Sequence, residues 1–167
     1  MAIRANIVLT DTHTYNSKSS LKIVKTKQLI FYRKTDGNPE AIMPVLQVFL
    51  KWIMEGRLRN NLGRAGVWLV LLGGIENNVI PKFLSFKDKL GPDELKKLPL
   101  PNFWKCGSFE PAASLSGDID FLYEIDIKEV KLTIKKVNYI NEEQQSFEIL
   151  KEIHHLHPEQ SHSDRFI

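Results

Sequence analysis

The chain has 167 residues, of which 43% are hydrophobic and 26% charged, the proportions of one globular domain. Its longest apolar run without a charged residue covers residues 65–75, too few for a helix that crosses a bilayer. The single cysteine, Cys106, excludes an internal disulfide and a zinc site built from several cysteines. We therefore expect a protein of a reducing compartment, with no membrane-spanning helix and no amino-terminal secretory signal.

Charge is divided unequally along the chain. Residues 1–75 hold eleven basic and four acidic side chains, a net +7, and the remaining residues hold twelve basic and sixteen acidic ones, a net −4. Such a division suits a protein with one face that meets phosphates, of lipid headgroups or of a nucleic-acid backbone, and another that meets protein. The alternative is that the two halves of the sequence do not form two faces in space.

The first half of the chain predicts two strands and a helix. Residues 3–10 have the composition of a short strand, and the polar residues 11–20 that follow are predicted to be mobile. Residues 21–32 carry apolar side chains on one parity, which predicts a strand with an irregular register near Val24 and Lys25. A helix is predicted from Pro39, capped by Asn38, to about residue 55.

Pro44 is expected to kink this helix, and Gly56 to end it. Residues 67–72 form an apolar run that fits either a buried strand or a core helix, closed by the two glycines that follow. Residues 79–87 lack a clean periodicity and are expected to form an exposed loop or an edge segment. Residues 90–116, rich in proline and glycine, predict an irregular connection.

The last third predicts one more strand and one more helix. Residues 120–137 alternate on one parity and then on the other, which indicates a strand with a bulge or break near Lys128 and Glu129. Asn141, followed by acidic residues, has the pattern of a helix amino terminus, and Pro158 is expected to end that helix.

Together these elements predict an α+β fold, a single compact domain in which a mostly antiparallel twisted sheet packs against two or three helices. Residues 1–20 would be a short strand and a mobile segment, residues 21–157 the globular domain and residues 158–167 a polar tail.

Chemistry-bearing side chains form no clear catalytic pattern. The closely spaced histidines favour a solvated helix end over a metal site; they are His154, His155, His157 and His162. The acidic residues of the late strand occupy its outer parity, and they are Asp118, Asp120, Glu124 and Asp126. Gly73 and Gly74 are not followed by the lysine and hydroxyl residue of a phosphate-binding loop. The sequence therefore predicts no enzyme, no metal and no cofactor.

Two features predict binding. The first is a set of basic residues that would bind anionic lipid or nucleocapsid phosphates, namely Lys18, Lys22, Lys25, Lys27, Arg33, Lys34, Arg57, Arg59 and Arg64. The second is an apolar loop with flanking lysines, expected to contact a membrane or a second copy of the chain, with Val79, Ile80, Phe83, Leu84 and Phe86. The alternatives are a merely soluble strand face for the first and a core-facing segment for the second.

The order of these elements resembles that of a rhabdovirus matrix protein, most of all the short members from plant viruses. A basic strand, an apolar helix that ends near Trp52 and a linker with glycine and arginine are followed by the apolar run from Val67 to Gly74. An apolar loop, a proline-rich stretch and a long late strand complete the resemblance, which covers residues 21–137 and depends on order and composition.

The resemblance implies a non-enzymatic matrix protein that self-assembles, condenses the helical nucleocapsid, lines the inner face of the envelope and damps viral RNA synthesis. Expected partners are further copies of the chain, the nucleocapsid, an anionic membrane surface and the viral glycoprotein tail. The expected locations are the virion beneath its envelope, the host cytoplasm and the cytoplasmic face of host membranes.

The chain departs from the family in lacking a long lysine-rich amino-terminal arm and a Pro-Pro-x-Tyr motif, which puts budding by that route in doubt. The competing hypothesis is a small basic viral RNA-binding accessory protein or silencing suppressor, with Phe31, Tyr32 or Trp104 as stacking platforms. Exposed aromatic side chains among the basic residues would favour it.

Overall fold

The computed structural model describes residues 2–16, 22–58, 61–76, 109–141 and 144–154. Its elements are β1 (Ala5–Asn16), β2 (Lys22–Arg33), α1 (Pro39–Met54), α2 (Leu62–Glu76), β3 (Glu110–Ala112), β4 (Phe121–Asp126), β5 (Lys131–Asn141) and β6 (Gln144–His154). The six strands form one sheet in the order β3-β2-β1-β4-β5-β6, in which β1 and β4 are parallel and all other neighbours antiparallel. The predicted α+β class, with a mostly antiparallel sheet and two helices in a single domain, is confirmed.

The core lies between one face of the sheet and the two helices. Alternate residues of a strand face the same side, so Ile7 and Leu9 of β1 join Ile125 of β4 in one buried cluster. Helix α1 contributes Ile42, Leu46, Phe49, Leu50 and Ile53, spaced by three and four residues. The opposite face carries a smaller buried cluster of Val8, Ile119, Leu122 and Val137.

Helix α1 begins and ends where the sequence predicts. Its end has the hydrogen bonds of a glycine cap: Gly56, at φ +69°, donates to the carbonyl of Ile53, and Arg57 donates to that of Trp52. At its start the Asn38 side chain does not cap the helix and instead donates to the carboxylate of Glu40, 2.8 Å away. Pro44 lies inside the helix.

Helix α2 decides between the two structures left open for residues 67–72, which form a helix and not a strand. Asn61 starts α2, because its side-chain oxygen accepts from the backbone N–H of Arg64 at 3.0 Å. The prediction that Gly73 and Gly74 end the apolar element was wrong, since α2 continues to Glu76. A Cβ on Gly73 would lie 2.9 Å from the Phe109 ring, so this glycine allows close packing within the helix.

The predicted break near Lys128 and Glu129 is a turn between β4 and β5. The Asp126 carboxylate accepts from the backbone N–H groups of both residues, at 2.9 and 3.0 Å. Val130 closes the turn in the left-handed region, with φ +49°. Residues 120–137 are therefore two antiparallel strands and not one bent strand.

Three sequence predictions need correction. Strand β1 does not end at residue 10 but continues to Asn16, because β2 pairs with it along its whole length. The irregular register expected near Val24 and Lys25 is absent from this pair. Residues 144–154, predicted as part of a helix, form β6, which pairs with β5 through a bulge at Leu150. The edge of β5 provides hydrogen-bond partners for the backbone N–H and C=O groups of residues 144–154. This pairing stabilises a strand more than the local signals at Asn141 and the residues after it stabilise a helix.

Candidate anion-binding surface

A two-stranded ribbon projects from the sheet. Strand β1 pairs with β4 only as far as Thr10, and β2 pairs with β3 only at residues 30–32. Residues 11–16 of β1 and 22–28 of β2 therefore continue as a hairpin past both neighbouring strands, and every side chain of residues 22–28 is exposed. We call these two segments the basic ribbon.

The basic ribbon carries three of the predicted cationic residues, Lys22, Lys25 and Lys27. Its one acidic residue, Asp11, lies opposite Lys27 in the strand register and is mostly buried. The Asp11 carboxylate lies 2.8 Å from Nε2 of His13, which stands opposite Lys25. The ribbon therefore presents a net positive surface to solvent.

Exposed aliphatic side chains lie among these lysines. Ile23 is 45% and Val24 57% exposed, and as consecutive strand residues they point to opposite faces of the ribbon. Neither face of the ribbon meets the helices at this point, so these apolar surfaces have no cover within the described chain. Lysine beside exposed aliphatic groups is the composition of segments that bind at membrane interfaces.

Further cations lie at the end of the domain from which the ribbon emerges. Helix α2 runs along β2, since Gly66 packs against Leu29 and Gly73 against Phe109, which lies near Arg33. The first turn of α2, with the exposed Arg64, therefore lies towards the ribbon. The Arg57 Nε lies 2.8 Å from a carboxylate oxygen of Glu55 in the connection between the helices, which partly neutralises its charge.

Lys128, which is not among the predicted binding residues, also lies at this end of the domain. Lys128 lies in the turn between β4 and β5, and its ammonium Nζ is 3.5 Å from the carbonyl of Thr12 in β1. The turn reaches the ribbon because β1 and β4 are parallel neighbours, with Ile127 donating to the carbonyl of Thr10. A parallel pairing between distant segments leaves no local signal from which Lys128 could have been found.

Arg33 is a correction to the predicted set of surface cations. Only 2% of it is exposed, its Nε donates to the carbonyl of Thr35 at 3.0 Å, and its guanidinium lies over the Phe109 ring, 5.1 Å from the centroid. Arg33 therefore belongs to the packed interior and not to a surface that meets phosphates. Its position has a sequence signal, because it shares the parity of Phe31, which faces the core.

Lys34 is exposed but lies at the opposite end of the sheet from the ribbon. It follows β2 seven residues after Lys27, about 23 Å away at the rise of an extended strand. This end holds several carboxylates: Asp118 accepts from the Arg4 guanidinium, and Asp120 accepts from the Arg4 backbone N–H at 2.8 Å. The structure thus does not bring Lys34 together with the ribbon lysines.

Tyr32 also lies at the acidic end. Burial, followed by the nearby Asp118 carboxylate, raises the pKa of its hydroxyl. Phe31 is buried in the core, 3% exposed. Neither aromatic side chain lies among the ribbon lysines, and Trp104 lies outside the described residues.

An apolar groove of about 320 Å³ opens between α2 and the β2–β3 edge. It is lined by Leu29, Phe31, Gly63, Gly66, Val67, Val70, Leu71 and Pro111. Val67 is 60% and Trp68 39% exposed on α2, and the Trp68 ring meets Trp52 edge-on, 5.6 Å between centroids.

Several predicted site residues lie outside the described part of the chain. They are Lys18 and Arg59 of the basic set and the whole apolar loop, Val79, Ile80, Phe83, Leu84 and Phe86. Of the four clustered histidines only His154 is described, and its Nε2 lies 3.8 Å from a carboxylate oxygen of Glu152. The described residues include no group of three or more histidine, cysteine or acidic side chains placed to hold a metal ion.

Comparisons of the chain with protein-family models, with curated proteins and with solved structures give no match. Within the described ranges, none of the helices combines the length and apolar character needed to span a membrane.

Proposed function

We propose that this chain is a viral structural protein of the matrix type, non-enzymatic, which self-assembles and binds the anionic inner face of an envelope. It would link that membrane to the helical nucleocapsid, condense the nucleocapsid for assembly and damp viral RNA synthesis. The glycoprotein tail is a further expected partner, and the virion and the cytoplasmic face of host membranes are the expected locations.

The observation that carries the proposal is the basic ribbon. Three exposed lysines and two exposed aliphatic side chains, Ile23 and Val24, occupy a hairpin that extends beyond the folded sheet. A projecting hairpin can reach a flat surface that the rest of the domain does not touch. Lysines attract anionic headgroups, and aliphatic groups gain free energy by entering the interface.

The acidic end of the sheet supports the same orientation. Asp118, Asp120 and Glu110 lie beside Arg4 and Tyr32, some 30 Å or more from the ribbon tip at the rise of a strand. Anionic headgroups would attract the ribbon and repel this end, so the domain would stand with the ribbon towards the membrane. The other end is then free to meet protein.

The second candidate function, RNA binding, uses the same lysines in a different way. A single-stranded RNA surface pairs basic residues with exposed aromatic side chains on which bases stack. Among described side chains the ribbon lysines are accompanied by aliphatic residues instead, and Phe31 and Tyr32 lie elsewhere. The exposed Ile23 and Val24 favour lipid over RNA, although the ribbon sequence also contains one aromatic residue, Tyr15, opposite Ile23 in the register.

Removal of the aliphatic groups separates the two functions. The variant Ile23→Thr/Val24→Thr keeps the charge and the strand preference of the ribbon, and Val48→Thr/Val67→Thr makes the equivalent change at exposed positions of α1 and α2. Co-sedimentation with anionic and with neutral liposomes, across a salt series, gives the lipid affinity of each protein. Fluorescence anisotropy with a labelled single-stranded RNA gives the RNA affinity.

We expect anionic-selective binding by the wild type that weakens with salt and falls roughly tenfold in the ribbon variant, with the α1/α2 variant unchanged. Absence of liposome binding by the wild type would overturn the proposal. If RNA binding is tighter than liposome binding and the ribbon variant affects neither, the RNA-binding function replaces it.

A further inference from the structure

Among the strands that the structure describes, two open edges of the sheet differ in character. One is β2 along the basic ribbon, and the other is β6, which within the described chain pairs only with β5. A free edge presents unpaired backbone N–H and C=O groups, to which another strand can add. Which edge does so depends on the side chains that protect it.

Lysines protect the edge of β2. Lys22, Lys25 and Lys27 would meet like charges if two copies paired along this strand. The first seven residues of β6, 144–150, have no lysine and no proline, and their one charged residue is Glu148. With two strand-favouring residues, Phe147 and Ile149, and a single charge, this segment is the less protected of the two edges.

Apolar side chains are exposed along the same segment. Phe147 is 45%, Ile149 58% and Leu150 46% exposed. Phe147 stands opposite Val137 and Ile149 opposite Lys135 in the β5–β6 register, on the face of the sheet away from the helices. The Lys135 Nζ lies 6.0 Å from the centroid of the Phe147 ring, which leaves the outer side of this ring to solvent.

Symmetry restricts how two copies of β6 can pair. In an antiparallel pair related by a two-fold axis perpendicular to the sheet, the axis passes midway between the two copies of one residue. That residue therefore stands opposite its own copy. An axis at Glu148 would oppose two carboxylates, and one at Ile149 would extend the pairing across the bulge at Leu150. An axis at Phe147 opposes two phenyl rings, pairs Gln145 with Ile149 and pairs Ser146 with Glu148.

We infer that β6 is a homodimerisation edge, through which two copies join antiparallel about Phe147 into one continuous twelve-stranded sheet. The inference rests on the self-assembly part of the proposed function and not on lipid binding. Five residues from each copy, 145–149, make a small interface, so the dimer forms reversibly and in a concentration-dependent way.

Cysteine cross-linking tests the register directly. In a Cys106→Ser background, Phe147→Cys places two cysteines opposite each other on the axis, within the Cα separation that a disulfide spans. Ile149→Cys is the matched control on the same face of the same strand. Its copies lie four residues apart along the paired strands, about 13 Å, which is too far for a disulfide.

Mild oxidation is expected to convert most of the Phe147→Cys protein to covalent dimer and little of the Ile149→Cys protein. Sedimentation velocity of the protein without cysteine substitutions should show a monomer–dimer equilibrium. Phe147→Lys should raise the dissociation constant of the dimer at least tenfold, and Ile140→Lys, at a more exposed position on β5, should not.

Equal cross-linking of both cysteine variants, or a monomer at the highest soluble concentration, would overturn the β6 interface. Liposome binding by such a monomer would leave the membrane part of the proposed function standing. Selective cross-linking of Phe147→Cys without liposome binding would support the β6 interface and overturn the membrane function instead.

Discussion

The Arg33 guanidinium lies over the ring of Phe109, 5.1 Å from its centroid, and both residues are almost completely buried. This contact joins β2 to the residue that leads into β3 and packs against Gly73 of α2. A cation that would otherwise count among the phosphate-binding residues is therefore part of the framework that holds the helix on the sheet.

We predict that Arg33→Ala lowers the free energy of unfolding by about 2–4 kcal/mol, because it removes a packed side chain and its contact with the ring. Lys34→Ala, at the exposed neighbouring position, should change it by less than about 0.5 kcal/mol. Urea unfolding measures both. An Arg33→Ala protein of normal stability that has lost affinity for anionic liposomes would return Arg33 to the binding surface.

Two glycines of α2, Gly63 and Gly73, should respond in opposite directions to substitution by alanine. A Cβ on Gly73 would lie 2.9 Å from the Phe109 ring and 3.3 Å from its backbone nitrogen, so Gly73→Ala should cost about 1–3 kcal/mol. The nearest atom to a Cβ on Gly63 is 3.5 Å away, so Gly63→Ala should add about 0.5–1 kcal/mol of helix preference. Thermal unfolding of the two variants tests this; shifts of the same sign would contradict the packing of α2.

The buried Tyr123 predicts a loss of stability at high pH. Its hydroxyl donates to the Gly37 carbonyl at 2.8 Å, and burial raises its pKa above the ordinary value of 10.0. Because the unfolded chain releases this proton first, the stability linked to it is fully present below about pH 10 and is lost as the pH rises above that.

Tyr123→Phe should lower the free energy of unfolding by about 1–2 kcal/mol at neutral pH, because the Gly37 carbonyl loses its partner. The same variant should lose less stability than the wild type between about pH 10 and 11.5, where the tyrosine would ionise. Lysines titrate in this range in both proteins and do not affect the comparison. Parallel pH profiles from urea unfolding would contradict the assigned burial of Tyr123.

The apolar segment at residues 79–86, predicted to be a loop, provides a test independent of the ribbon. We predict that Phe83→Ser/Phe86→Ser weakens binding to anionic liposomes mainly at high salt, where screening leaves the apolar contribution dominant. Co-sedimentation across a salt series measures this. Unchanged binding at every salt concentration, with normal folding, would favour the alternative in which these residues face the core.

Local signals in the sequence predicted the elements whose structure is determined locally. The turn at Gly56 and the start of α1 at Pro39 depend on backbone geometry that these residues prefer. The helix prediction for residues 144–154 was wrong because the capping pattern at Asn141 favours a helix, whereas pairing with the preceding strand β5 favours a strand. Single-segment reasoning does not include that pairing.

The candidate site was predicted only in part for a related reason. Lys27 and Lys34 are close in the sequence, yet the extended backbone of β2 between them places them at opposite ends of the sheet. Strand parity, applied to Arg33 as it was to Phe31, would have predicted its burial. The contribution of Lys128 depends on the parallel pairing of β1 with β4, which no pattern in either strand specifies.

The most direct test compares two variants of equal net charge in their binding to anionic liposomes at low salt. In the ribbon variant, glutamine replaces Lys22, Lys25 and Lys27. In the control variant, glutamine replaces three exposed lysines away from the ribbon, Lys34, Lys136 and Lys151. If the ribbon is the membrane-binding surface, its variant loses about 3 kcal/mol, roughly a 100-fold weaker affinity, and the control stays within about threefold of the wild type. Equal weakening of both variants would show that net charge alone governs binding and would contradict the assignment of the ribbon.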